Sequence, residues 1–202
     1  MNLICQNKCE NKYCENKINS SYIKRIIRLI GPVILGSKPS EIVNIPGSSE
    51  ERVMKLQEIE KFFKDCSKIK YRVITKHDNS KRILFINEDS MIKCLENKKC
   101  RNFLKFLGYP KEYSLKAYMD ELVSRLESEI FPDEIGIFLG YPLKDVLGFM
   151  GYSNKDFTCV CSWRFYGDVE ASYEIYNRFA RDKEKMKKMV DRLSVWELRE
   201  VI

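Results

Sequence analysis

The tightest constraint on how this chain can fold is a change of hydrophobic period between residues 48 and 86. Ser48-Ser49-Glu50-Glu51 has the spacing of a capping box, in which a serine hydroxyl accepts from a first-turn amide while Glu51 reaches back. Behind it Val53, Leu56, Ile59, Phe63 and Cys66 recur at three- and four-residue steps, which predicts a helix with one buried stripe. Two short runs rich in β-forming residues follow, YRVIT at 71–75 and RILFI at 82–86. His77-Asp78-Asn79-Ser80 stands between them and reads as a hairpin turn.

The rest of the chain mixes the same two periods. From Ser21, YIKRIIRLI is helical in character until GP at Gly31–Pro32 interrupts it. Gly36–Gly47 (GSKPSEIVNIPG) reads as a loop. One helix is expected over about 89–107 and another from Leu115 through Met119, Leu122, Leu126 and Ile130, with Ser114 as its cap. EIGIFLG at 134–140 is apolar on both faces, as a central strand would be, with a short helix as the alternative. PLKDVLGFMGY begins with a proline suited to a first helical turn. FTCVCSWRFYG at 157–167 reads as a strand with Phe157, Cys159, Cys161, Trp163 and Phe165 on one face. Asp168 then stands at a cap position before a helix reaching about Leu193. The expected fold is α/β or α+β: a single domain over 21–202 with about four strands, outnumbered by helices, behind a polar arm rich in Cys, Lys and Asn at 1–20.

FLGYP occurs twice, at Phe106–Pro110 and Phe138–Pro142, and FMGY echoes it at Phe149–Tyr152. The first copy and the echo read as helix stops, with glycine in the left-handed position. The second reads as the end of a strand from which Pro142 opens a helix. The flanks, KEYSLKAYM and LKDVLGFMG, do not match, which argues against an internal repeat.

Composition narrows the class of protein. A chain of 202 residues, 44% hydrophobic and 12% aromatic, has enough apolar material for a real core, and a chain of this size buries roughly 70% of its unfolded surface. No apolar run nears the roughly 20 residues that cross a bilayer, so no membrane partner is expected. MNLICQNKCENKYCENK lacks a signal core, and its eight-cysteine chain is expected to stay reduced in the cytoplasm. The net charge of +7 favours acidic or phosphorylated partners.

Several motifs can be weighed on their chemistry. GPVILGSK at Gly31–Lys38 is superficially like a phosphate-binding loop, but Lys38 is followed by proline rather than a hydroxyl residue, and a helix precedes it. A buried turn is the better reading. Cys5, Cys9 and Cys14 form a candidate metal or redox cluster, lacking the fourth ligand of structural zinc. Cys159 and Cys161 read as core packing, and with His77 as the chain's one histidine a Cys–His nucleophile has no partner to build it. Arg178, Arg181, Lys185, Lys188 and Arg192 fall on one stripe of the last long helix, opposite Tyr176, Phe179, Met186, Val190 and Leu193. Such a stripe is a solvated face or a phosphate-backbone contact. Asp133, Glu134, Tyr141, Asp145, Arg164, Tyr166 and Asp168 gather near the expected strand ends.

Phe131–Phe149 (FPDEIGIFLGYPLKDVLGF) and Cys159–Asp168 (CVCSWRFYGD) resemble a family of small proteins from anaerobic Gram-positive bacteria catalogued as a domain of unknown function. Gly31–Pro39 matches a further family motif in part. The chain departs from the pattern at Asp133, where the family has histidine, and near Ile30, where it has cysteine. The resemblance supplies a family and no activity.

The leading expectation is binding of a small anionic ligand or cofactor at the strand ends, through Lys38, Glu134, Tyr141 and Asp168. The alternatives are nucleic-acid association through the basic stripe, and a thiol redox or metal module built on the N-terminal cysteines. No residue is assigned a catalytic role and no cofactor is specified.

Overall fold

The computed structural model describes residues 20–202. Among them an antiparallel three-stranded sheet, order β1-β3-β2, is built from β1 (Ser40–Ile45), β2 (Ile69–Thr75) and β3 (Lys81–Asn87). The β2–β3 hairpin turns through 76–80, with Asn79 at φ 59 and the Ser80 amide donating to Asp78 Oδ1 at 2.9 Å. β3 is buried over five consecutive residues because both of its faces are covered. Ile83 and Phe85 enter one apolar cluster, and Leu84 and Ile86 enter another.

The first cluster is completed by α1 (Ser20–Leu29), α2 (Gly31–Ile34), α3 (Ser49–Phe63), the far half of α9 (Glu170–Arg192) and α10 (Val195–Val201). The second is completed by α4 (Glu88–Leu95), α5 (Lys98–Phe106), α6 (Leu115–Glu127), α7 (Ile135–Phe138) and α8 (Leu143–Phe149). A two-stranded antiparallel sheet, β4 (Phe157–Val160) with β5 (Arg164–Tyr166), packs on the near half of α9 around Trp163, Phe165 and Phe179. The architecture is α+β, with helices outnumbering strands.

The caps behave as their chemistry demands. Ser48 and Glu51 form both halves of the capping box on α3, and the Ser114 hydroxyl accepts from the Ala117 amide at the start of α6. The stripe on α3 is shifted from the expected one: Ile59, Phe62 and Phe63 are buried, while Val53 is 49% exposed.

Four expectations are corrected. The span read as a loop at 36–47 contains β1, whose six residues lie between Pro39 and Pro46; the prolines mark the strand's ends rather than its absence. The single helix expected at 89–107 is two, because Asn97 accepts from the Lys99 and Cys100 amides and starts α5 afresh. The strand at 134–140 is one turn of helix, α7, buried on all sides; an apolar run this short carries no period to separate the two. FTCVCSWRFYG is a hairpin rather than one strand, closed by the Cys161 amide donating to the Trp163 carbonyl at 3.0 Å. Its turn residues carry no glycine or proline to announce it, and Phe157 is left exposed while Trp163 and Phe165 are buried.

The two FLGYP copies and FMGY share one backbone device. In each, the glycine has positive φ (Gly108 95°, Gly140 79°, Gly151 76°). In each, its amide donates three residues back, and the following tyrosine amide donates five residues back: Tyr109 to Leu104, Tyr141 to Gly136, Tyr152 to Leu147. This is the Schellman helix stop, which satisfies carbonyls that a helix end leaves orphaned. The second copy therefore ends a helix, as the first does, and not a strand.

Candidate functional site

The stop at Gly140 places α7 and α8 side by side, joined by Tyr141–Pro142. Gly136 lies so close under α8 that an added Cβ would come within 2.8 Å of Val146 Cγ2. Between these two helices and the β4–β5 hairpin is a cavity of about 290 Å³. Ile135, Gly136 and Val146 form its inner surface, and Tyr141, Trp163, Phe131 and Phe149 supply aromatic walls. Asp133 and Arg164 bring opposite charges to it, and Arg164 lies 5.7 Å from the Phe149 ring centroid.

The main wall is a stacked pair, Tyr141 on Trp163, with centroids 4.3 Å apart and planes 15° from parallel. Asp145, only 1% exposed, fixes that wall from behind. Its Oδ2 accepts from the Trp163 indole Nε1 at 2.9 Å and from the Ser172 hydroxyl at 2.7 Å. Its Oδ1 accepts from the Tyr166 amide at 2.9 Å and from Lys144 Nζ at 2.7 Å. Lys144 Nζ also donates to the Tyr166 carbonyl and to Ser172 Oγ, so one ammonium and one carboxylate tie α8, β5 and α9 together. With four donors on two oxygens, Asp145 is occupied as a positioning group.

The residues singled out from sequence divide by position. Tyr141 lines the cavity, and burial together with the Glu41 charge pushes its phenol up to about 12. Lys38 lies beside it, its Nζ 5.5 Å from the Tyr141 and Phe179 ring centroids. Lys38 is itself buried and paired with Glu41 at 2.7 Å. Glu134 is buried on another side of α7, where it accepts from Tyr109 Oη at 3.1 Å and Arg125 Nη1 at 3.0 Å. Asp168 is exposed, and its Oδ1 accepts from the Glu170 amide at 3.0 Å. Of the wider constellation, Asp133, Tyr141, Asp145 and Arg164 do meet around the one cavity.

Trp163, Phe131 and Phe149 were not legible as walls. The sequence puts Trp163 on one strand face with Cys159 and Cys161, which read as core packing, and its neighbour Arg164 is the signal that this strand reaches a surface. All five residues of the basic stripe on α9 are exposed, and none takes part in an ion pair among the described residues. Cys5, Cys9 and Cys14 lie outside the described residues, as does the proposed arm up to residue 19. Among the described residues there is no cluster of three side chains suited to a metal ion, and no helix is long and apolar enough to cross a membrane.

Fold and site together define an α+β protein with an aromatic pocket held between a helix pair and a β-hairpin. The chain belongs to the family described as a protein of unknown function (DUF3793), whose model matches residues 26–198. No curated protein and no solved structure matches it.

Proposed function

We propose that this protein binds a small organic acid in the pocket between α7, α8 and the β4–β5 hairpin. The observation that carries the reading is the lining itself. An apolar cavity of about 290 Å³ with stacked aromatic walls opens beside Arg164, a guanidinium without an ion pair among the described residues. Pockets of this kind hold an apolar body by burial and orient it with a few polar groups. Here Arg164 would meet the anionic group and Asp133 would accept from a donor on the same ligand. Tyr141 serves as wall, and Lys38 supports it from the protein side; Glu134 and Asp168 then act through the fold rather than by touching the ligand.

The setting we propose is the cytoplasm, where the thiols of Cys66, Cys94, Cys100, Cys159 and Cys161, unpaired in the structure, stay reduced. The likeness of the two sequence blocks to small proteins of anaerobic Gram-positive bacteria agrees with that setting.

Native mass spectrometry of freshly purified protein tests the reading, followed by Trp163 fluorescence titration with a panel of aromatic carboxylic acids. A co-purified or added acid should bind to wild type and bind at least about tenfold more weakly to Arg164→Ala, the size expected for one lost charge-assisted hydrogen bond. Absence of binding by every acid, or equal binding to Arg164→Ala, would sink it.

A second reading rests on the exposed, unpaired stripe of Arg178, Arg181, Lys185, Lys188 and Arg192, which suits a nucleic-acid backbone. Retention on heparin should fall with salt and drop sharply on reversing Arg181 and Lys185 to glutamate. Retention that survives the reversal excludes this reading.

A further inference from the structure

The lysine of the GSKP loop points inward, yet the loop borders a second cleft that the pocket reading does not use. Gly36, Ser37 and Pro39 form one side of it, and Gly140 of the second FLGYP stop meets them. The contact is close: a Cβ on Gly140 would lie 2.6 Å from Pro39 Cδ. The remaining sides come from Ser90, Lys93 and Cys94 on α4 and from Arg178 on α9, around a volume of about 340 Å³.

Three features of this cleft favour an anion. Lys93 and Arg178 arrive from different helices, both are exposed, and neither makes an ion pair or hydrogen bond among the described residues. Carboxylates at Asp89, Glu96, Glu174 and Asp182 stand about one helical turn from them and pair with neither. The Ser37 amide likewise has no hydrogen-bond partner among the described residues. The loop that carries it is fixed on several sides. Asn87 Nδ2 donates to the Val33 carbonyl, the Asn87 amide to the Pro39 carbonyl, and Ser90 Oγ to the Gly36 carbonyl. A fixed loop with an unpartnered amide, lined by two cations, offers a charged group backbone and side-chain donors together. Cys94 adds no competing negative charge, since burial, with the nearby Cys100, pushes its thiol up to about 12 and its Sγ donates to the Ile137 carbonyl.

We infer that this cleft binds the phosphate or diphosphate group of a small molecule, held by Lys93, Arg178 and the Ser37 amide. The site is separate from the aromatic pocket, since neither cation lines that cavity. It also gives the phosphate-loop look of Gly31–Lys38 a different physical basis: the loop contributes backbone, and the cations come from elsewhere in the chain.

Calorimetric titration with metal-free inorganic pyrophosphate at low salt tests it. Wild type should bind one equivalent. Lys93→Ala and Arg178→Ala should each weaken binding at least about tenfold, with the double variant showing none, as expected when charge-assisted contacts are removed. Arg181→Ala is the control, on the same basic stripe but not lining the cleft, and should stay within about twofold, because screened attraction from outside a site is weak. Because the substituted side chains are exposed, thermal melting should not move. No heat of binding in wild type overturns the inference. So does an Arg181→Ala loss equal to that of Arg178→Ala, which would reduce the effect to the general charge of α9.

Discussion

Tyr109 and Tyr141 follow the same glycine in the same helix stop, yet one is sealed into the core and the other faces a cavity. Around Tyr109 every position is filled. Arg125 lies 4.3 Å over its ring, Tyr118 and Phe138 pack against it in tilted pairs with centroids 5.6 Å away, and its hydroxyl donates to buried Glu134. Around Tyr141 the stack with Trp163 occupies one partner, and the space between α7, α8 and the hairpin stays open. The local backbone is common to both, so the difference lies in what each tyrosine meets. In each case a buried carboxylate fixes the surroundings: Glu134 closes the first by bonding the tyrosine itself, and Asp145 leaves the second open by bonding the wall behind it.

Removing those two carboxylates breaks the comparison most severely. Asp145→Ala would strand the Trp163 indole N–H, the Tyr166 amide and the Ser172 hydroxyl where almost no water reaches, and would leave the Lys144 ammonium without its counter-charge, held by the Tyr166 carbonyl and Ser172 Oγ. Losing one partner of a buried ion pair in this way costs about 3–5 kcal/mol, and the indole should lose its fixed orientation. Glu134→Ala should cost less, about 2–3 kcal/mol, set mainly by the unpaired Tyr109 hydroxyl. Arg125 keeps its bonds to Glu121 and the Leu107 carbonyl and can turn toward solvent. Urea unfolding of both variants checks the order. An Asp145→Ala loss smaller than that of Glu134→Ala would show that the hairpin is not held as described.

The three helix stops give a finer series. All three glycines have φ between 76° and 95°, so alanine pays a similar backbone penalty at each, of the order of 1 kcal/mol. What a Cβ would meet differs. At Gly140 it would be 2.6 Å from Pro39 Cδ, at Gly108 3.4 Å from the end of the flexible Arg125 side chain, and at Gly151 nothing lies within 4 Å. The expected order of destabilisation is Gly140→Ala, then Gly108→Ala, then Gly151→Ala, with Gly140 exceeding Gly151 by about 1–3 kcal/mol for the added overlap. Thermal melts of the three variants read this directly, and equal shifts would mean that the Pro39 contact relaxes without cost.

Where the chain could be read from sequence, a single local chemistry sufficed. The capping box at Ser48–Glu51, the Ser114 cap and the HDNS hairpin each depend on a few adjacent residues, and each forms as expected. RILFI could be read as a strand but not as the central one, because only tertiary contacts tell that Leu84 and Phe85 both find cover. EIGIFLG reads as a strand with a short helix as the alternative, because it is buried all round and neither period shows. Of the charged and tyrosine residues that the sequence gathers in the second half, Asp133, Tyr141, Asp145 and Arg164 line the cavity. Their separate positions are not legible in the sequence, because Glu134 and Asp133 are adjacent there and yet Glu134 bonds Tyr109 while Asp133 lines the cavity.

The two tyrosines should also part at high pH, and this is the smallest effect of the set. Burial and neighbouring carboxylates raise both phenols, Tyr141 to about 12 and Tyr109 further still. A phenol ionises near 10 in the unfolded chain. Below that value both states hold the proton and the raised pKa changes nothing with pH. Above it the unfolded state releases protons that the folded state keeps, so stability falls as pH rises. The Tyr141 contribution is lost between about 10 and 12, after which the folded state also ionises there; that of Tyr109 continues beyond. Tyr141→Phe should therefore flatten the alkaline limb of the stability profile over that window alone, whereas Tyr109→Phe should flatten it to the highest pH at which the protein can be measured. Tyr109→Phe also removes the hydrogen bond to Glu134, lowering stability at pH 7 as well, a shift that Tyr141→Phe should not show because the Tyr141 hydroxyl makes no hydrogen bond among the described residues. Unfolding followed at several pH values separates the two outcomes: a Tyr141→Phe limb parallel to that of wild type would mean that Tyr141 is as open to water as the cavity beside it.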